Sequence, residues 1–306
     1  MISFLMMAKN VEKFIGEAIK ELQKETKVDW ELIVIDDGSE DETFKVVEDL
    51  TKTDGRIILK RNPFKGKVDG TSYAFSLSTG DIVKCIDSDD ILIADWFSFL
   101  PQMQNYDAHC HSALIVDENL HKIAKYNPNP RVITSSFEGV ASNLLSFPKW
   151  SWSFKRSVAE KVFPLPSDLP FEDVWMAILI KKHAKNILVI NDALYLYRQH
   201  GSQTFGGIVN FRTEVVQFRA SRLLKLISVI ESEDRVLSGS CLGLTSFDEE
   251  KVFQSYLSGS GYGIKKLISL DISVKRKLKA FMYIYMPKTT EQIITMKWWS
   301  DAFLKS

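Results

Sequence analysis

The first hundred residues alternate between short apolar runs and stretches with helical spacing. Four apolar runs have the length of buried strands, at residues 2–7, 31–35, 56–59 and 81–86. Between the first two runs, apolar residues recur every three or four positions, as in an amphipathic helix: Val11, Phe14, Ile15, Ala18, Ile19 and Leu22. This alternation predicts an α/β fold with a mainly parallel sheet covered by helices on both faces.

Two local signals predict where helices of this region begin and end. Ser39, followed three residues later by Glu42, forms a capping box, which predicts that the second helix begins at Ser39. Gly80 follows Thr79 and predicts the end of the third helix, because glycine readily takes the left-handed conformation found there.

After residue 100 the pattern becomes less regular. Residues 108–116 and 121–126 predict a hairpin through a turn at residues 117–119. Residues 172–184 predict a helix, and two short strands are expected after it, at residues 187–190 and 194–197.

From residue 208 onward the spacing of apolar residues becomes helical over a long stretch. We therefore expect an α/β domain over residues 1–207, with a first part at 1–100 and a second at 101–207. A helical region over residues 208–306 follows, with the boundary near Gly206 and Gly207.

Charge and composition narrow the classes of function. The chain has 39 basic and 39 acidic residues, and this balance argues against nucleic-acid binding, which usually needs a basic excess. Three cysteines without Cys-x-x-Cys spacing predict reduced, buried thiols. Without a basic leader or an apolar run of about 20 residues, the sequence predicts a cytoplasmic protein, either free or peripheral on the inner face of the cell membrane.

The last segment carries an excess of positive charge. The basic stretch from Lys275 to Lys279 precedes an aromatic run at residues 280–286, and Trp298 and Trp299 follow. Cations and aromatic residues placed together in this way suit an anionic membrane surface. A solvated basic helix face packed on the rest of the protein is an equally favoured alternative.

Two acidic clusters follow two different strands of the predicted sheet. Asp36 and Asp37 follow one strand, and Asp87, Asp89 and Asp90 follow another. Because the carboxyl ends of parallel strands share one edge, these carboxylates should converge on one cleft. Their mutual repulsion predicts a divalent cation, Mn²⁺ or Mg²⁺, which in turn attracts a diphosphate.

Several segments together resemble the family 2 glycosyltransferases, which have the Rossmann-like GT-A fold. The resemblance extends over residues 2–204 and rests on these segments in this order: Asn10-Val11-Glu12-Lys13-Phe14-Ile15, Asp36-Asp37-Gly38-Ser39, Ser78-Thr79-Gly80-Asp81, Asp87-Ser88-Asp89-Asp90, Phe171-Glu172-Asp173-Val174-Trp175 and Tyr197-Arg198-Gln199-His200.

For the donor side, the resemblance implies that Asp37 binds the nucleotide base, with Asp36 nearby. Asp87 would approach the ribose, with Ser88 beside it. Asp89 would bind Mn²⁺ or Mg²⁺ at the donor diphosphate. An arginine common in relatives is replaced by the segment Gly70-Thr71-Ser72, and either Lys65 or Lys67 is the expected substitute.

For the acceptor side, the resemblance implies that Asp173 is the general base, with Glu172 beside it. His200 would be a second metal ligand. Trp150 and Trp152 would stack on the acceptor sugar, although core packing is nearly as favoured for either ring.

These expectations describe an inverting, metal-dependent hexosyl- or N-acetylhexosaminyltransferase of bacterial polysaccharide or lipooligosaccharide synthesis. A UDP-sugar is the expected donor, and a saccharide or lipid-linked saccharide the expected acceptor. Two alternatives remain. One is a catalytically silent subunit of a polysaccharide assembly complex. The other is a sugar-phosphate nucleotidyltransferase, disfavoured because residues 7–10 lack a Gly-rich, Arg-containing loop. The sequence predicts no particular oligomeric state.

Overall fold

The computed structural model describes residues 1–201, 213–233, 236, 247–259 and 264–290. The chain divides into two compact units, Met1–His200 and Gly201–Ser306. The predicted boundary at Gly206 and Gly207 lies outside the described residues, as does Trp299 at the end of the basic segment.

The first half of the N-terminal unit is built from four parallel strands and three helices. The strands lie in the order β3-β2-β1-β4. They are β1 (Ile2–Ala8), β2 (Trp30–Asp36), β3 (Ile57–Arg61) and β4 (Ile82–Asp87), and the helices are α1 (Glu12–Gln23), α2 (Thr43–Thr51) and α3 (Lys67–Leu77). Every residue of β2 is buried, as expected for a parallel strand covered on both faces.

The register of these strands brings the two acidic clusters together. Within the sheet, β1 lies between β2 and β4, with Ala8 opposite Asp36 and Met7 opposite Asp87. The strand ends that carry Asp36 and Asp87 therefore flank the end of β1, which confirms that both clusters lie at one edge of the sheet.

The second half of the unit extends the same sheet with strands of mixed direction. The added strands are β5 (Ile91–Leu92), β6 (Ala108–Val116), β7 (Lys122–Tyr126), β8 (Trp152–Lys155) and β9 (Ile187–Arg198). The order continues from β4 through β8, β6 and β9 to β5, and β7 pairs with β6. The parallel arrangement thus holds for the first four strands, whereas β8 runs antiparallel to both of its neighbours.

The β6–β7 hairpin confirms the prediction, but the two strands expected after residue 186 form the single strand β9. Its register with β6 is irregular between Ile190 and Ala193, where Asn191 and Asp192 are exposed. These two polar residues interrupt the apolar pattern without ending the strand.

Five helices connect these strands: α4 (Leu100–Met103), α5 (Pro130–Thr134), α6 (Phe137–Ser142), α7 (Arg156–Val162) and α8 (Glu172–His183). Short 3₁₀ turns lie at Ala94–Phe99 and Lys149–Ser151. Every residue of α8 from Val174 to Ile180 is buried, so this helix lies in the core and only its ends carry charge.

Ser39 does not begin the second helix and Gly80 does not end the third, so both predictions from local helix signals are wrong. Helix α2 begins at Thr43, and the Ser39 hydroxyl accepts a hydrogen bond from the Asn10 backbone N–H (3.1 Å), so Ser39 joins two loops. Helix α3 ends at Leu77. A Cβ at Gly80 would lie 2.7 Å from the Ser3 backbone nitrogen, so Gly80 permits close approach to β1 and does not cap the helix.

The C-terminal unit contains the helices α9 (Thr213–Ser232), α10 (Asp248–Leu257), α11 (Ile264–Ser269) and α12 (Val274–Tyr285). They share a core of Ala220, Phe253, Tyr256, Leu257, Leu267, Leu270, Ala280 and Tyr283. Across the described part of the chain, none of the helices combines the length and apolar character needed to span a membrane.

Candidate active site

Asp36 and Asp37, at the end of β2, have different surroundings. Asp36 is buried and accepts hydrogen bonds from the Ser39 N–H (3.3 Å) and from Arg61 (3.3 Å). Asp37 is half-buried, and its Oδ1 accepts from the Asn62 amide (2.7 Å) and the Gly66 N–H (3.1 Å). Asp36 therefore organises the loop, and Asp37 is the more accessible of the two.

The loop that contacts Asp37 leads directly into α3 and its two candidate lysines. Gly66 has a positive φ of 91°, which suits glycine, and α3 begins at Lys67. The Lys67 ammonium lies 3.8 Å from Asp87 Oδ1 and 3.5 Å from Glu172 Oε1. Lys65 is exposed on the preceding turn. The structure thus brings Lys67 between two predicted site carboxylates.

Lys149 was not predicted from the sequence, yet it makes the shortest contact with Asp87. Its side chain is only 4% exposed, and its Nζ lies 2.5 Å from Asp87 Oδ1. Burial favours protonation of Asp87, but the charges of Lys149 and Lys67 outweigh it and hold the Asp87 pKa at about 2. Burial also disfavours the Lys149 ammonium, and Asp87 outweighs that effect and raises the Lys149 pKa.

Glu172 and Asp173 occupy the first turn of α8, next to Lys149. The Lys149 backbone N–H donates to Asp173 Oδ1 (2.7 Å). Burial and the neighbouring Glu172 raise the Asp173 pKa to about 7, against the opposing charges of Lys149 and Lys67. Burial therefore has a larger effect on Asp173 than the helix dipole, which by itself favours the ionised carboxylate.

Asp89 and His200 lie in direct contact, although 111 residues separate them in the chain. The distance from His200 Nε2 to Asp89 Oδ2 is 2.9 Å, and the His200 side chain is only 3% exposed. The Arg198 N–H donates to Asp90 Oδ1 (2.7 Å), which holds the end of β9 against this loop. Ser88 is buried between Asp87 and Asp89.

The chemistry of this pair fits the expected cation. A carboxylate oxygen and an imidazole nitrogen are both common metal ligands, and Mg²⁺ is usually held by one or two carboxylates plus substrate phosphates. Among the described residues, no group of three or more His, Cys, Asp or Glu side chains could hold a metal. Two protein ligands completed by a donor diphosphate would therefore be the fitting arrangement.

Trp150 and Trp152, predicted to stack on an acceptor sugar, are packed in the core. Trp150 is 2% exposed and stacks on Tyr195, with ring centroids 4.8 Å apart and an 8° angle between the planes. Trp152 is fully buried against Phe147, at 5.0 Å. Protein side chains cover both rings, so Trp150 and Trp152 pack in the core instead of stacking on a sugar.

Sequence reasoning missed Lys149, Arg61 and the anchoring role of Arg198. Lys149 lies between Pro148 and Trp150 in a stretch without periodicity, so only its charge within an apolar, aromatic segment marked it. Arg61 is the last residue of β3, and its guanidinium carbon lies 3.9 Å from the centroid of the Phe44 ring.

Comparison with known proteins identifies the family. The model of Glycosyl transferase family 2 matches residues 3–163, more than half of the chain. Over 97 residues the chain is 38% identical to the Escherichia coli UDP-Glc:alpha-D-GlcNAc-diphosphoundecaprenol beta-1,3-glucosyltransferase WfgD, covering 31% of this chain and 37% of that protein. The chain spans between 30% and 65% of the length of the curated relatives that it matches.

Solved structures share the fold. S. aureus TarS 1–349 in complex with UDP-GlcNAc superposes with a TM-score of 0.57 at 14% identity, over 98% of this chain and 92% of that one. The mannosyltransferase PcManGT from Pyrobaculum calidifontis, in complex with GDP-Man and Mn²⁺, gives 0.52 at 15% identity, over 96% and 86%. These likenesses confirm the GT-A fold. The family match over more than half of its length shows that this chain belongs to the family 2 glycosyltransferases.

Proposed function

We propose that this chain transfers a sugar from a nucleotide-sugar donor to a saccharide acceptor with inversion, in the synthesis of a cell-surface glycan. One observation carries the proposal. Lys149 contacts Asp87 through its side chain and Asp173 through its backbone N–H, so a carboxylate at the end of β4 and one at the start of α8 face the same residue. A donor-side group and a base for the acceptor need this proximity.

Asp173 is the general base of this reaction. It takes the proton of the acceptor hydroxyl as the acceptor oxygen bonds to the anomeric carbon and the bond to the diphosphate oxygen breaks. Attack from the face opposite the leaving group inverts the configuration in one step, without a carboxylate nucleophile. The Asp173 pKa of about 7 suits this role, because a base is most effective when its pKa lies near the working pH.

The donor is a UDP-sugar that carries a hexose or an N-acetylhexosamine. Asp37 would accept the imide N–H of uracil, and its half-buried position beside Gly66 supports that contact. WfgD is named for a UDP-Glc donor, and TarS was solved with UDP-GlcNAc, which adds support from the family and the fold. Lys67, with half of its side chain exposed, would contribute positive charge at the diphosphate.

Asp89 and His200 would hold Mn²⁺ or Mg²⁺. When bound, such an ion neutralises the charge that develops on a diphosphate leaving group. The contact between the two side chains and the Mn²⁺ in the PcManGT complex support this assignment.

The acceptor is a lipid-linked saccharide, and the protein is a cytoplasmic one that docks on the membrane. WfgD is named for an acceptor on diphosphoundecaprenol. In the C-terminal unit, α11 and α12 each expose two large apolar residues four positions apart. Ile268 is 63% exposed, Val274 is 79% and Leu278 is 58%, and Ile264 is 37% exposed. Such pairs form one face of a helix and suit an apolar surface.

The exposed lysines of α11 and α12 complete this surface. Lys265, Lys266, Lys275 and Lys279 are exposed beside the apolar pairs. Arg276 instead pairs with Glu250 (2.6 Å), and Lys277 donates to the Ile268 carbonyl (2.6 Å). These two cations therefore make contacts within the C-terminal unit. Lysines that flank an apolar stripe match anionic lipid headgroups, which makes an anionic membrane the fitting partner.

The decisive experiment uses Asp173→Asn. The variant should bind UDP with nearly unchanged affinity while sugar transfer falls by about 10²–10⁴, the range for loss of a general base. NMR of the wild-type product should show inverted anomeric configuration. A wild-type protein that binds UDP-sugars but neither transfers nor hydrolyses them would instead establish the silent-subunit alternative.

A further inference from the structure

The 3₁₀ turn Lys149–Ser151 is attached to β4 at two points. Lys84, fully buried within β4, donates from its Nζ to the Trp150 carbonyl (2.6 Å). Three residues further along the same strand, Asp87 Oδ1 accepts from the Lys149 ammonium (2.5 Å). Two side chains of β4 thus hold two successive residues of the turn, and Lys84 and Lys149 are both buried.

The same turn also contacts α8. The Lys149 backbone N–H donates to Asp173 Oδ1 (2.7 Å), which belongs to the first turn of that helix. Lys149 therefore uses its side chain for Asp87 and its backbone for Asp173. Asp87 and Asp173 are 86 positions apart in the chain, and Lys149 contacts both of them.

A buried ion pair usually contributes little net stability to a protein. Desolvation of both charges offsets most of their attraction, and apolar residues of similar volume often stabilise a core as well or better. The geometry here has a use that an apolar residue could not supply, because the ammonium holds a carboxylate of the site in a defined position. This points to alignment of the reacting groups as the reason for a lysine at this position.

We propose that Lys149 is a positioning residue that aligns the donor side of the site, through Asp87, with the acceptor base Asp173. The proposal rests on the proposed function, since Asp173 must be the base for the alignment to matter. Lys149 acts through these two carboxylates and does not itself take part in bond making. Lys84 supports the alignment by holding the next residue of the turn.

The charges around Asp173 predict a second effect of Lys149. Glu172 faces Asp173 on its own helix, Lys67 approaches from α3, Lys149 from the turn, and the phenol of Tyr126 from β7. Of the two cations, Lys149 is buried and Lys67 is half exposed, so Lys149 is screened less by solvent. Loss of its charge should raise the Asp173 pKa above about 7.

The test compares Lys149→Met, Lys149→Arg and a matched surface variant, Lys20→Met, in α1. For Lys149→Met we expect kcat to fall by about tenfold or more, because the reacting groups are misplaced, and the acid limb of the kcat/KM–pH profile to move to higher pH. Lys149→Arg keeps the charge but moves it, so kcat should fall while the acid limb stays at its wild-type pH. Lys20 is exposed, and Lys20→Met should match the wild type in both measurements.

Melting curves and UDP binding accompany these assays. A variant that only loosened the fold would lower the melting temperature without moving the acid limb. If Lys149→Met fails to fold, Lys149→Arg carries the test, and wild-type kcat in that variant would overturn the proposal. Wild-type turnover and pH profile in a folded Lys149→Met would overturn it too.

Asp173→Asn, measured beside these variants, separates the two proposals. Near-normal turnover in Asp173→Asn would remove the proposed base, and the proposed function would fail first. Loss of turnover in Asp173→Asn together with wild-type kcat and an unchanged acid limb in Lys149→Met would leave the base in place and remove only the role of Lys149.

Discussion

Asp173→Asn should stabilise the protein at alkaline pH while it lowers sugar transfer by about 10²–10⁴. The Asp173 pKa is about 7 in the folded protein, compared with an ordinary value of 3.8, because burial and Glu172 disfavour the ionised form. A carboxyl group with a raised folded pKa binds more protons in the native state. Its contribution to stability is therefore complete below pH 3.8 and is lost as the pH rises through about 7. Asn keeps the size and the acceptor oxygen for the Lys149 N–H but has no ionised form.

The expected gain in stability follows from the rise in the Asp173 pKa. About three pKa units correspond to about 4 kcal/mol at pH 8, at about 1.4 kcal/mol for each unit. Glu172 shares the titration, so we expect a gain of about 1–4 kcal/mol. In a domain of about 150–250 residues, each kcal/mol raises the melting temperature by about 2–4 °C. At pH 4 the wild type and Asp173→Asn should melt close together, because the wild-type carboxyl is then protonated.

Asp248→Asn is the matched control, because Asp248 is an exposed aspartate in the first turn of α10. Loss of an ordinary helix N-terminal charge costs about 0.3–1 kcal/mol, so this variant should melt slightly lower at pH 8. The sign of the change in melting temperature at pH 8 thus distinguishes a buried base from an exposed charge at a helix N-terminus. If Asp173→Asn behaved like the control and kept its turnover, the reasoning would be refuted, and Glu172 would be the next candidate base.

The wild-type kcat/KM should fall to about one tenth of its plateau at pH 6, one unit below the Asp173 pKa of about 7, and a flat profile from pH 6 to 8 would contradict this. Asp89→Ala should abolish transfer, His200→Ala should weaken metal dependence less severely, and chelation should silence the wild type, whereas full activity in a chelator would exclude a metal-bridged donor. Thermal shifts measured with Mn²⁺ should be larger for UDP than for GDP or CDP, and a preference for GDP would overturn the donor assignment. Reversing the charges of Lys275 and Lys279 should lower the affinity for anionic vesicles by more than about 30-fold, at about 1 kcal/mol for each lysine. An equal loss of affinity in Lys20→Glu, an exposed variant in α1, would show that binding does not depend on the surface of α11 and α12.

The sheet edge that carries the acidic clusters was predictable from the sequence. Alternating strand and helix patterns specify parallel strands, and parallel strands place their carboxyl ends at one edge, so Asp36 and Asp87 had to lie close together. The family resemblance likewise added Asp89 and His200 as a pair, and the structure finds them in contact. These relations depend on local periodicity and on motifs, both of which a single sequence contains.

Other features depended on burial, which no local pattern specifies. The sequence left Trp150 and Trp152 between sugar stacking and core packing, and only the tertiary packing of Tyr195 and Phe147 decided for the core. The charges of Arg276 and Lys277 looked equivalent to those of Lys275, yet only the fold of the C-terminal unit shows that the first two serve internal contacts.

The ionisation of the proposed base depended on tertiary structure most of all. From the sequence, Asp173 is a charge at a helix N-terminus, where the dipole favours the carboxylate. In the structure, burial reverses that preference, and Lys149 reaches Asp87 from 62 positions away and Asp173 from 24. The sequence determined the fold class, the acidic edge and the family, because each follows from local pattern. Only the tertiary structure decided the protonation of Asp173 and its link to Asp87, because desolvation and charge act between groups that are distant in the chain.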